Sequence, residues 1–166
     1  MTQPKLESAR AVADLTDGVI LAVVDIAASP ERVFHALSSA EIASWWGSTD
    51  TYRVTHWDGD IRPGGWWRSE GVSANGKTFA VGGDVLEVEP PRLLVQTWRY
   101  EDTPGDVTTV RYRIDAIPGG SRLTVRHEGF TDRASCDSHA HGWERVLGWL
   151  GAFLMGEDGG RKPDNP

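Results

Sequence analysis

Few side chains in this sequence could transfer a proton near neutral pH, and His127 is the first to consider. It alternates with Leu123 and Val125 along a predicted strand, which places all three on one face. An inward histidine could act as a general acid or base, or could orient a polar ligand group. The alternative is a buried histidine bonded to a backbone carbonyl or to a helix side chain. The sequence leaves both interpretations open.

Asp137, His139 and His141 are residue types that bind zinc, but their spacing does not suit a helical site. On a helix, positions i and i+2 point to nearly opposite sides, so the two histidines could not share one ion. The apolar pattern places His139 beside Trp143, facing the sheet, and His141 outward. Cys136 is the only cysteine. It lies in a polar stretch before the final helix, where we expect it to be exposed. We predict no metal site and no cofactor.

Other catalytic motifs are not evident. The sequence has no Gly-x-Ser-x-Gly nucleophile motif and no glycine-rich phosphate loop before a helix. Arg68 and Glu70 lie opposite Trp67 on a predicted strand, on a face that we interpret as solvated. For the strand that carries Gln96 and Arg99, the residue types do not decide which face is buried. We therefore do not predict an enzyme.

Aromatic side chains carry the strongest functional signal. The chain has eight tryptophans in 166 residues, and each brings a large rigid apolar surface with one N–H donor. Such residues either fill a core or line a pocket for an apolar or aromatic ligand. We predict a pocket between a sheet and the C-terminal helix. Its predicted walls consist of Trp46, Trp67, Phe79, Trp98, Tyr112, His127, His139, Trp143 and Leu147.

Composition and charge exclude several other functions. The net charge of −7 and the lack of a Lys/Arg cluster argue against partners with an anionic surface, so we expect no nucleic acid and no membrane. No apolar run is long enough to span a bilayer, and the N-terminus lacks a signal-peptide pattern. The length suits one domain, and we expect a cytoplasmic location.

The element that must hold the pocket closed is a predicted C-terminal helix beginning near His139. Its apolar positions 143, 146, 147, 150, 153 and 154 form a stripe over four turns. Gly142, Gly148 and Gly151 interrupt it, each at a cost of about 1 kcal/mol relative to alanine. We expect close packing against the sheet to offset that cost, because glycine lets backbones approach.

The elements that must face this helix are strands. A strand over residues 19–27 is followed by a helix with Ser29 as N-cap and Pro30 in its first turn, and then by a short helix over 40–45. Residues 51–128 then alternate with period two between turn signals, which predicts about six meandering strands. Gly82 and Gly83 indicate a bulge or bend within one of them. Before Asp17 and Gly18, either a short strand or a helix over 5–14 is compatible with the sequence.

We divide the chain into an N-terminal extension over 1–17, which has room for a short extra strand, a domain over 18–155 and a flexible tail over 156–166. Within that domain, seven segments resemble one family, namely 28–37 (ASPERVFHAL), 45–47 (WWG), 62–68 (RPGGWWR), 83–93 (GDVLEVEPPRL), 97–98 (TW), 123–130 (LTVRHEGF) and 139–147 (HAHGWERVL). The chain resembles the activator-of-Hsp90-ATPase C-terminal-like family within the SRPBCC, or START/Bet v 1-like, superfamily. The resemblance implies an α+β helix-grip fold, in which a curved antiparallel sheet wraps around a long C-terminal helix.

The same resemblance leaves three functions open. Members of the superfamily bind lipids, polyketides, plant hormones and other hydrophobic molecules, so the first expectation is binding of an apolar or aromatic small molecule. The second is a protein-interaction or stress-response module of the co-chaperone kind. The third is a cyclase-like or hydrolase-like enzyme that uses His127. Exposed edge strands of such a sheet would also allow a homodimer.

Overall fold

The computed structural model describes residues 5–102, 105 and 107–156. The elements follow one another as strands β1 (Arg10–Asp14) and β2 (Val19–Ile26), helices α1 (Pro30–Leu37) and α2 (Ile42–Trp45), strands β3 (Tyr52–Asp60), β4 (Trp66–Ser73), β5 (Thr78–Glu89), β6 (Leu93–Tyr100), β7 (Thr108–Ile117) and β8 (Gly120–Glu128), and helix α3 (Arg133–Met155). The predicted order of two short helices, six meandering strands and a long helix is confirmed.

The eight strands form one curved antiparallel sheet in the order β1-β2-β8-β7-β6-β5-β4-β3. After β2 the chain crosses through α1 and α2 to the far edge, enters β3, and returns strand by strand until β8 pairs with β2. Alternation on β7 and β8 buries Val110, Tyr112 and Ile114 together with Leu123 and Val125. Of these inward residues, Tyr112 reaches α3 through the ring of Trp143, while α1 packs against β7 and β8.

The N-terminal extension joins the sheet through β1, which pairs with β2. Of the two alternatives for this segment, the structure has the strand. Ahead of it, the Glu7 N–H donates to the carboxylate of Asp25 at 3.0 Å, and Arg122 donates to the same carboxylate at 2.8 and 3.0 Å. These hydrogen bonds, Arg122's above all, hold the pKa of Asp25 below its usual value. Nearly all of the predicted tail, residues 157–166, lies outside the described residues.

Helix α3 begins six residues earlier than predicted, and this corrects the position of Cys136. The carboxylate of Asp132 caps the helix by accepting from the Ala134 and Ser135 N–H groups at 3.3 Å each. The first turns are mostly polar because most of their surface faces water, so the apolar stripe alone places the start too late. Cys136 lies on their inward face, fully buried, and burial raises the pKa of its thiol. The expectation of an exposed cysteine was wrong.

The glycines of α3 do not serve the close packing that the sequence suggested. A Cβ added at Gly142 or Gly148 would meet no atom within 4 Å, and one at Gly151 would make only ordinary contacts with Met155 and Val24 at 3.8 and 4.0 Å. The helix is stabilised instead by the burial of its apolar face. The space left open at Gly142 belongs to the cavity described below.

The glycine pair in β5 marks a close approach of strands, whereas the bulge lies a few residues further on. A Cβ at Gly82 would lie 2.6 Å from the Trp67 carbonyl oxygen, and one at Gly83 would lie 2.2 Å from that of Thr97. The register shift between β5 and β6 falls between Val85 and Glu87. The glycines therefore let the backbones of β4 and β6 approach β5 closely, while the register shift lies later in the strand.

Candidate functional site

An open cavity of about 550 Å³ lies between the β3–β7 part of the sheet and the first turns of α3. Helix α3 packs against β1 and β2, while the opposite half of the curved sheet stands away from its N-terminal turns and leaves this space. The volume lies within the usual range for small-molecule sites. The lining residues are Ile42, Trp46, Thr51, Tyr52, Val54, Trp67, Ser69, Ser73, Lys77, Thr78, Phe79, Val81, Gln96, Trp98, Tyr100, Asp102, Tyr112, Ser138, His139, Gly142 and Arg145.

Three tryptophans form a rigid apolar wall. The ring centroid of Trp98 lies 5.9 Å from that of Trp46 and 5.2 Å from that of Trp67. The Trp46 N–H donates to the Tyr52 hydroxyl at 3.1 Å, and the Trp67 N–H donates to the Thr97 carbonyl at 2.9 Å. Because these hydrogen bonds fix two of the indoles, the wall is set before any ligand arrives.

Four polar groups on the cavity wall lack side-chain hydrogen-bond partners in the described part of the chain. The side chains of Ser69, Gln96 and Tyr112 are buried, line the cavity and form no such bond. The indole nitrogen of Trp98 is the one fully buried side-chain polar atom there without a partner. A buried polar group left unpaired costs about 1–3 kcal/mol, which applies to the Trp98 nitrogen. The other three groups face the open cavity, where a polar occupant could pair with them.

Burial also affects the phenols around these groups. It raises the pKa of Tyr112, and of Tyr100 at the cavity edge. The Trp98 N–H lies near enough to the Tyr100 hydroxyl to oppose that rise but outside hydrogen-bonding geometry. Both phenols therefore stay protonated at neutral pH and can donate as well as accept.

His127 is a structural residue and does not line the cavity. Its Nδ1 accepts from the Trp143 N–H at 3.0 Å, and its Nε2 contacts the Thr108 hydroxyl at 2.6 Å. Since Nδ1 accepts, the neutral ring carries its proton on Nε2 and donates to Thr108, whose hydroxyl reaches the Trp98 carbonyl oxygen at 3.4 Å. Burial, assisted by nearby His139, lowers the pKa of His127 to about 3. The acid–base role proposed for His127 is not supported, because both nitrogens are engaged.

His139 lies at the cavity wall and is held from two sides. Its Nδ1 donates to the Ser135 carbonyl at 2.9 Å, and its Nε2 contacts the Tyr100 hydroxyl at 3.2 Å. His141 points outward, with its Nε2 3.7 Å from a carboxylate oxygen of Asp137. Among the described residues, no three His, Cys, Asp or Glu side chains are grouped as metal ligands would be.

Six of the nine predicted wall residues line the cavity, namely Trp46, Trp67, Phe79, Trp98, Tyr112 and His139. The other three, His127, Trp143 and Leu147, are buried behind the wall. Trp143 supports it from there, with its ring centroid 5.8 Å from Trp46 and 6.0 Å from both Trp98 and Tyr112. These three lie behind the wall because a residue that faces the helix–sheet interface can pack there without reaching a cavity.

Sequence reasoning missed several residues of the site. Gln96 was left undecided, but the structure turns it inward with Leu94 and Trp98. Its position between an aliphatic and an aromatic residue on one face was the signal available. Tyr52 and Arg145 gave no such signal, because their contact joins β3 to α3 and exists only in the folded protein.

The cavity mouth carries charge. The guanidinium carbon of Arg145 lies 6.0 Å from the ring centroid of Tyr52 and 5.5 Å from that of Trp149. Lys77, in the β4–β5 turn, and Asp102, after β6, also line the cavity. In the described part of the chain, no helix has the length and apolar character needed to cross a bilayer.

A curved antiparallel sheet that holds a long C-terminal helix, with an aromatic cavity between them, defines the helix-grip class of α+β proteins. The chain belongs to the AHSA1 family, because the family model described as "Activator of Hsp90 ATPase homolog 1-like protein" matches residues 27–155. The resemblance drawn from the sequence is thereby confirmed.

Solved structures agree with this fold. The AHSA1 protein SPO3351 from Silicibacter pomeroyi is 28% identical, with a TM-score of 0.73 over 84% of this chain and 99% of its own. Protein Ms6760 from Mycobacterium smegmatis is 19% identical, with a TM-score of 0.75 over 90% and 97%. Protein CV1439 from Chromobacterium violaceum is 23% identical, with a TM-score of 0.72 over 82% and 96%. The last two show the fold alone. A search of curated proteins found no match.

Proposed function

We propose that this protein binds an apolar or aromatic small molecule in the cavity between the sheet and α3. One observation carries the proposal: aromatic rings line an open cavity of about 550 Å³, and polar groups without side-chain partners in the described chain lie in the same wall. A core that merely packs would fill such a volume. Ligand pockets combine apolar walls with a few polar groups that fix orientation.

The walls and the polar groups have separate roles in this proposal. The rings of Trp46, Trp67 and Trp98 supply apolar contact area and hence most of the affinity. Gln96 and Tyr112 recognise a carbonyl or hydroxyl group of the ligand, because both can donate and accept hydrogen bonds. Binding then supplies partners to groups that the free protein leaves unpaired. A cytoplasmic location remains part of the proposal.

Gly142 gives a direct test, because it lines the cavity and a Cβ added there would meet no atom within 4 Å. We expect Gly142→Phe to weaken binding of the neutral fluorescent probe N-phenyl-1-naphthylamine by about tenfold or more. The matched control is Gly148→Phe, which adds the same ring to the exposed face of the same helix, again in open space. It should bind the probe as the wild type does.

Both variants replace a helical glycine, so both should keep or raise the thermal stability of the protein. Equal probe binding by Gly142→Phe and wild type would contradict the proposal, as would failure of the wild type to bind. Native mass spectrometry of protein purified from cell extract provides an independent measurement. A mass excess that Gly148→Phe retains and Gly142→Phe loses is the expected result.

A further inference from the structure

Arg145 differs from most arginines of this chain in having no carboxylate partner. Among the described residues, ion pairs engage Arg10, Arg32, Arg62, Arg68, Arg92, Arg111, Arg113, Arg122 and Arg126. Arg145 forms none with the part of the chain that the structure describes, although the protein carries a net charge of −7. An acidic protein that leaves this cation unpaired at a cavity mouth leaves its donors available to a ligand.

The position of Arg145 is set by aromatic rings rather than by an opposite charge. Its guanidinium lies against Tyr52 and Trp149, at 6.0 and 5.5 Å from their centroids. Such contacts orient a guanidinium without neutralising it. The guanidinium also lies close enough to the Tyr52 hydroxyl to oppose the rise that burial causes in the pKa of Tyr52, and its other N–H donors remain available. Tyr52 is itself fixed by the indole of Trp46. The cation is therefore held at the edge of the apolar wall.

The remaining charges at the mouth also favour an anion. Lys77 lines the cavity and forms no ion pair with the described residues. Asp102 is the one carboxylate among the described lining residues. Two cations thus face the cavity against one carboxylate. Screening with a Debye length of about 8 Å weakens the field of more distant surface charges at this site.

We infer that the ligand is an amphipathic anion, with an apolar or aromatic body in the cavity and one anionic group, such as a carboxylate, on Arg145 at the mouth. This inference rests on the proposed function and specifies its ligand class. A planar guanidinium recognises an oxyanion through paired hydrogen bonds, which a lysine does not reproduce. The unpaired Gln96 amide lies on the inner wall, where the far end of the ligand reaches it.

Two fluorescent probes that differ by one anionic group test the inference. The anion 8-anilinonaphthalene-1-sulfonate is N-phenyl-1-naphthylamine with one sulfonate added. We expect the wild type to bind the anionic probe about tenfold more tightly than the neutral one, since hydrogen bonds to charged groups reach that strength. Arg145→Met keeps an apolar stem against Tyr52 and should abolish this preference while leaving neutral-probe binding within about twofold. Arg145→Lys should retain part of the preference.

Arg133 provides the matched control. It lies on the same helix, is exposed and has no ion pair within the described residues, but it does not line the cavity. Arg133→Met removes the same charge and should keep the wild-type preference.

Three results would overturn the inference. Equal affinity of the wild type for both probes would do so while leaving the proposed function intact. Equal losses in Arg133→Met and Arg145→Met would place the anion elsewhere on the surface. Binding of neither probe by the wild type would remove the proposed function and this inference together. Thermal melts of each variant confirm that the changes reflect binding and not unfolding.

Discussion

At the scale of single residues, Gln96 departs from ordinary packing because it places an amide on the wall of the cavity. It is 5% exposed and forms no side-chain hydrogen bond within the described chain. We expect Gln96→Leu to leave the ligand-free protein as stable as the wild type or more stable by about 1 kcal/mol. The leucine side chain is similar in size to glutamine and lacks the amide, which has no partner within the described chain. The measurement is the free energy of unfolding in urea.

Ser121 is the control for that substitution, because it is buried and its hydroxyl does have a partner. It donates to the Ala28 carbonyl at 2.6 Å. Ser121→Ala should lower the free energy of unfolding by about 1–3 kcal/mol, since it leaves that carbonyl without its donor. Equal destabilisation by Gln96→Leu and Ser121→Ala would show that Gln96 is satisfied inside the protein and is not reserved for a ligand.

The residue scale is also where sequence reasoning was least complete. Period-two alternation fixed the inward direction of Tyr112 and His127, and both are buried. Alternation cannot distinguish a side chain that lines a cavity from one packed behind its wall, because that depends on where α3 crosses the sheet. Trp98 and Trp143 illustrate the difference, since both face the same interface and only Trp98 lines the cavity.

At the scale of elements, Asp132 determines where α3 begins. Its carboxylate accepts from two N–H groups of the first turn. We expect Asp132→Ala to lower the free energy of unfolding by about 1 kcal/mol, the usual cost of removing an N-cap. Asp137→Ala, on the exposed face of the same helix, is the matched control and should change stability by less than about 0.5 kcal/mol. Equal effects of the two variants would contradict the capping role.

The fold was more predictable than the element boundaries, for a physical reason. Strand periodicity and turn residues are repeated along the chain, so six strands and their order could be recognised without tertiary information. The start of α3 depends on a single cap, and its first turns present a mostly polar face. An apolar stripe therefore locates the helix but not its first residue, which is why Cys136 was assigned to the wrong environment.

At the scale of the whole molecule, burial of a neutral histidine links stability to pH. The pKa of His127 is about 3 in the folded protein and about 6.5 in an unfolded chain. Between these values the unfolded state binds more protons, so stability must fall as the pH falls from about 6.5 toward 3. The slope from this one group approaches 1.4 kcal/mol per pH unit.

The substitution His127→Gln should separate this effect from the rest of the molecule. It removes the titrating ring and leaves Trp143 or Thr108 without its hydrogen-bond partner. The variant should therefore be less stable than the wild type at pH 7. Its free energy of unfolding should nevertheless change less steeply between pH 6.5 and 4.5. His141→Gln alters an exposed ring, 79% accessible, and should keep the wild-type slope.

The pH window matters because a second buried group, the carboxylate of Asp25, also makes the protein less stable as the pH falls. The pKa of Asp25 is lowered by its hydrogen bonds with Arg122, so its contribution is present above the unfolded value of about 3.9 and is lost only as the pH falls below that value. Urea unfolding measured at intervals from pH 6.5 to 4.5 therefore separates the contribution of His127 from that of Asp25. If His127→Gln and the wild type lose stability in parallel across that window, the neutral buried imidazole is not what links this fold to pH.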